Sequence, residues 1–115
     1  MTIERASLAR FGERVAADFL TRRGGLVVGR NVAVARGEVD LIVRWADGYA
    51  AVEVKTVGPD SVTTDPVDRI TPAKLAQVRR LAGLLAADLG AMRVDFVGVI
   101  VGARGVTVTW RANVA

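Results

Sequence analysis

The sequence predicts an α/β fold: a mixed sheet of roughly five strands flanked by helices. Three observations carry this. Apolar periodicity switches in the order α-β-β-β-α-β-β along the 115 residues. A Val-rich segment at 93–101 follows a long amphipathic stretch, as in a right-handed parallel crossover. Two strand-like segments meet at Asp47-Gly48, a hairpin signal. The length suits one domain, 1–115, able to bury a real core.

The first element reads as a helix, because Leu8, Phe11, Val15, Phe19 and Leu20 recur at helical spacing and Gly24-Gly25 ends the run. "LVVGRNVAV" (26–34) is a strand weakened by Gly29, and "GEVDLIVRW" (37–45) is a second. "YAAVEVKTV" (49–57) is the third. A Pro/Asp/Thr-rich loop covers 58–71. Thr71 then offers an N-cap and Pro72 a first helical position. Leu75, Val78, Leu81, Ala82, Leu85 and Leu89 form one apolar stripe that Gly90 stops. "RVDFVGVIV" (93–101) reads as buried on both faces, and "GVTVTW" (105–110) as an edge or closing strand.

Composition excludes several chemistries. With no cysteine and no histidine, disulfides, thiolate sites, His triads and the usual zinc sites are out. Any metal must sit on oxygen ligands, which favours Mg²⁺, Mn²⁺ or Ca²⁺. The N-terminal segment is charged throughout and no apolar run approaches bilayer length, so no membrane association and a cytoplasmic location are expected. Net charge is +4, a mild push towards polyanions. The sixteen bases are fourteen Arg and two Lys, Lys55 and Lys74. A Lys that survives such a bias suits a role that needs a compact point charge.

The chemistry centres on the hairpin. Glu53 and Lys55 stand two apart in an apolar strand and so share a face. With Asp47-Gly48 as a two-residue turn, Ala46 faces Tyr49, Asp40 lies opposite Lys55 and Ile42 opposite Glu53. Asp40 and Glu53 are then diagonal neighbours, with Cβ atoms roughly 7 Å apart. Two such carboxylates can hold one hard cation and leave positions for water and phosphate. The alternative is a set of cross-strand ion pairs of little energetic weight.

The ordered set Gly12-Glu13, Asn31, Gly37-Glu38-x-Asp40, Glu53-x-Lys55 and Lys74 resembles the YraN family of small bacterial proteins, and within it the Asp…Glu-x-Lys core of the PD-(D/E)xK nuclease superfamily. The resemblance runs from about Leu8 to Val101. It implies a restriction-endonuclease-like fold and a metal-dependent DNA endonuclease using Mg²⁺ (or Mn²⁺). On it, Asp40, Glu53 and the Val54 backbone carbonyl match the metal ligands, and Lys55 matches the catalytic lysine. Glu13 matches an acid near the metal, or is a helix acid pairing with Arg10 or Arg14. Glu38 is a further ligand or a strand-end charge, and Asn31 a structural polar residue. Lys74 approaches a phosphate or is a solvated helix residue. The family usually has Arg after Lys-Thr, where this chain has Val57, and often Phe-Gly before the second helix, where it reads "GPDSVTTDPVDRI".

Basic residues cluster near both helices, among them Arg10 and Arg14 on the first and Arg79 and Arg80 on the second. Beside the acidic face they would contact phosphates irrespective of sequence. Few aromatics are present for stacking single strands, which points to duplex or branched DNA. A homodimer follows by analogy with resolvases. A non-catalytic nucleic-acid-binding module and a protein-interaction domain are the other readings.

Overall fold

The computed structural model describes residues 4–59 and 65–114; the part of the 58–71 loop at 60–64 lies outside them. Among the described residues two helices, α1 (Arg5–Arg22) and α2 (Pro72–Leu89), flank five strands. These are β1 (Leu26–Val34), β2 (Gly37–Trp45), β3 (Gly48–Val57), β4 (Met92–Gly102) and β5 (Gly105–Arg111). The sheet order is β1-β2-β3-β4-β5. All neighbours are antiparallel except β3 and β4, which run parallel and are joined through α2. The element order and the mixed, helix-flanked sheet are as the sequence predicts. A short 3₁₀ turn at Pro66–Arg69 is added inside the loop.

Each helix covers one face. On the α1 face Ala16, Ala17 and Leu20 pack with Leu41, Val43, Val52, Val97 and Val99. On the α2 face Val78, Leu81 and Ala82 pack with Val39, Ile42, Ala51, Val94 and Phe96. The interior line of α1 consists of small residues, Gly12, Ala16 and Ala17, ending in Leu20, while Phe11 is 36% exposed. Small residues let the helix lie close: a Cβ on Gly12 would collide with the Thr56 hydroxyl. On α2 the expected stripe holds, except that Leu89 is 41% exposed.

The hairpin corner differs from the expected one. Ala46 and Asp47 make the turn and Gly48 already pairs with Trp45. The reason lies outside the hairpin. The Tyr49 amide donates to the Ala91 carbonyl at 3.0 Å, which starts β3 beside β4. Gly48 enters that strand with φ 140°, where an added Cβ would meet the same carbonyl at 3.1 Å. Leu41 therefore faces Val52. Continued by one pair, Asp40 faces Glu53 directly instead of diagonally, and Lys55 falls beyond it. The shift is by two residues, so the paired side chains from Leu41 to Val52 keep their predicted faces.

Beyond Leu41 and Val52 the sheet forks. β2 continues back to Gly37 paired only with β1, and β3 continues to Val57 paired only with β4. Asn31, at φ 48°, lies on β1 beside the fork. Asn tolerates this left-handed conformation better than most residues. Strand β2 turns its faces over there: Val39 packs on the α2 side, whereas Leu41 and Val43 pack on the α1 side. Strict alternation would put all three on one face.

Candidate functional site

The predicted acids meet in this fork. With no β2 residue opposite, the Val54 amide needs another acceptor, and Asp40 Oδ2 takes it at 2.8 Å. The amide and carbonyl of a strand residue face the same neighbour. The Val54 carbonyl is thus turned to the Asp40 side as well. Glu53 is only 8% exposed, and its Oε2 is buried with no hydrogen-bond donor among the described residues. Its Oε1 is 3.4 Å from Lys74 Nζ.

The electrostatics follow from crowding. Burial first, then the Asp40 charge, pushes the Glu53 carboxyl up to about 7, against the pull of Lys74. Burial also raises Asp40, opposed by the Val54 amide and by Lys74. Glu13 on α1 is raised by its own partial burial and by Asp40. With its amide oriented so that the nitrogen faces the two acids, Asn31 donates to Glu13 Oε1 at 3.0 Å and to Glu38 Oε1 at 3.1 Å, tying α1 to β2 at the rim.

Gly37, the first residue of the Gly-Glu-x-Asp run, lies close under α2: a Cβ there would meet Leu81 Cδ1 at 2.8 Å. The first turn of α2 reaches the fork through Lys74. Thr71 Oγ1 caps the helix by accepting from the Lys74 amide at 3.1 Å, as its Thr-Pro start predicts.

Asp40, Glu53, Glu13, Glu38, Asn31 and Lys74 are therefore brought together. Lys55 keeps the Glu53 face but is exposed, and it pairs with no described carboxylate. The cation on the acids is Lys74. Arg10, Arg14, Arg79 and Arg80 are exposed on the two helices, on opposite sides of the sheet. Val57 is 5% exposed, an interior position that suits its apolar side chain.

Among the described residues no three acids gather tightly enough to enclose a metal by side chains alone. What the fork offers a hard cation is two carboxylates and one backbone carbonyl, with water for the rest. The donor-less Glu53 Oε2 beside a second raised carboxyl fits that use. A surface hollow of about 420 Å³, lined by Leu26, Arg44, Trp45 and Tyr49, lies at the other end of the hairpin and contains none of the acids.

The chain matches the profile of the uncharacterised protein family UPF0102 over residues 12–99. The chain belongs to this family. UPF0102 is the YraN family, within the PD-(D/E)xK-like nuclease superfamily. A UPF0102 protein of Leifsonia xyli subsp. xyli is 40% identical over 100 residues, covering 81% of each chain. One of Streptomyces griseus is 35% identical over 114 residues and 95% of each chain. Among solved structures, Pyrococcus furiosus SfsA in complex with Ca²⁺ gives a TM-score of 0.45 at 12% identity, over 90% of this chain and 63% of that one. No helix among the described residues of this UPF0102 protein is long and apolar enough to cross a membrane.

One buried acid escaped the sequence reading. Asp95 in β4 is fully buried. It accepts from Arg93 Nε at 3.0 Å, Trp110 Nε1 at 3.2 Å and the Asn113 amide at 2.8 Å. These bonds fasten β5 and the following chain to β4. An acid in a doubly buried strand was its only signal, the same signal that marks Glu53.

Proposed function

We propose that this UPF0102 protein is a Mg²⁺- or Mn²⁺-dependent endonuclease acting on duplex or branched DNA. One observation carries the reading: in a fork of the sheet the buried Glu53 carboxyl is crowded by that of Asp40, and its Oε2 has no donor among the described residues. Asp40, Glu53 and the Val54 carbonyl would hold the ion. When bound, it would polarise a phosphodiester and make a coordinated water more acidic. Lys55, on the Glu53 face and free to reach solvent, would orient the attacking water or meet charge developing at phosphorus. Glu13, steadied by Asn31, would add negative charge at the rim. Arg10, Arg14, Arg79 and Arg80 would hold phosphates without reading bases. Membership in a nuclease-like superfamily supports the same reading. Two strands of a junction would be cut by two copies, so a homodimer belongs to the proposal.

The test is cleavage of linear and four-way DNA with Mg²⁺ or Mn²⁺, beside Lys55→Ala and Asp40→Asn. Cutting by the wild type and at least 100-fold slower cutting by both variants is expected, from the loss of one positioned proton-transfer group or ligand. If wild type and variants bind alike and none cuts with either metal, the protein is a binding module.

A further inference from the structure

We propose that Lys74 is the resident counter-ion of the Asp40–Glu53 pair, and that its ammonium competes with a divalent cation for Glu53. The inference rests on the metal reading above and assigns a role to a residue outside the Asp…Glu-x-Lys motif.

The geometry supplies both halves. Lys74 Nζ is 3.4 Å from Glu53 Oε1, and it is the cation that moderates both raised carboxyls. A buried pair of carboxylates is costly without a positive partner. The Lys74 backbone is fixed, because its amide is bound by the Thr71 cap and its helix starts at Pro72. Its side chain is 38% exposed, so the ammonium has an open route to water. A dication on Glu53 and an ammonium at this distance repel each other. Occupancy by the metal would therefore turn Lys74 outward into solvent. A flexible point charge can make this exchange, whereas a guanidinium forks rigidly onto a carboxylate. That accounts for a second lysine in a chain whose other bases, Lys55 apart, are all Arg.

Competition is reciprocal: what the metal takes from Lys74, Lys74 takes from the metal. The experiment measures Mn²⁺ affinity at pH 8 by calorimetry, and unfolding with and without saturating Mn²⁺, for wild type, Lys74→Met and Lys74→Arg. Lys74→Met should bind Mn²⁺ roughly 3- to 10-fold more tightly, and Lys74→Arg no more tightly than wild type. Without metal, Lys74→Met should unfold at a lower temperature than wild type, and saturating Mn²⁺ should erase that difference. Equal or weaker Mn²⁺ binding by a folded Lys74→Met overturns the proposal and leaves the metal reading standing. So does a stability loss that persists under Mn²⁺, which would mark a purely structural lysine. Absence of Mn²⁺ binding by the wild type overturns both together. Should Lys74→Met not fold, Lys74→Gln takes its place under the same criteria.

Discussion

Asp40 Oδ2 accepts the Val54 amide at 2.8 Å, standing in for the strand that leaves the sheet at that point. A carboxylate placed there serves backbone and site at once. Asp40→Ala should lose about 1–3 kcal/mol of stability, because it strands a partly buried amide. Asp40→Asn keeps an acceptor and removes the repulsion on Glu53. Its metal-free form should be at least as stable as wild type at pH 8. Urea unfolding of the two variants separates the backbone role from the charge.

The carboxyl pair should make the metal-free protein lose stability as the solution becomes less acidic. Glu53 is raised from 4.5 to about 7 by burial and by Asp40, and Asp40 is raised as well. The folded state therefore favours the protonated forms. The Glu53 contribution is fully present below about pH 4.5 and is lost as pH climbs to about 7, and Asp40 acts in the same direction. A fall on the order of 1–3 kcal/mol is expected across this window. Glu53→Gln should flatten it. Thermal melts at pH 5 and pH 8, without divalent ions, decide the matter; an unchanged slope in the variant would sink the assignment.

Asp95 should behave as a structural acid. Removing it leaves Arg93, the Trp110 indole and the Asn113 amide without their shared acceptor. Asp95→Ala should cost about 3–5 kcal/mol, the usual penalty for breaking a buried charged pair. Mn²⁺ affinity per folded molecule should not move. A loss of affinity with intact folding would refute the division between the two buried acids.

The β1–β2 turn carries removable strain. Ala35 and Arg36 have φ 40° and 68°, the left-handed pair a two-residue hairpin of this kind requires. Asn and Gly take these angles at far lower steric cost. Ala35→Asn combined with Arg36→Gly should add roughly 0.5–1.5 kcal/mol, read by denaturant midpoint at unchanged m-value.

The fold was legible in the sequence because periodicity marks helix and strand, and it sets the faces everywhere but at the reversal between Val39 and Leu41. The face of Asp40 survived a wrong turn corner, since a shift by two preserves parity. The corner itself was not legible: the Ala91 carbonyl that starts β3 lies across the α2 crossover. For the same reason Lys74 could not be placed on Glu53 from spacing. Its position depends on how closely α2 approaches Gly37, a matter of packing between distant segments. Asn31 hid its role in a left-handed backbone conformation that no pattern of side chains announces.

The fork has a consequence for how the chain matures. Asp40 and Glu53 come from the first hairpins, but the ammonium that steadies them arrives on α2, and β3 gains its partner only with β4. Pairing across such a crossover is a non-local contact, slow to form and late in synthesis. A nascent or truncated chain lacking that half carries the two acids without their counter-charge or a finished sheet beneath them. The three charges of the fork therefore come together only when the domain is complete.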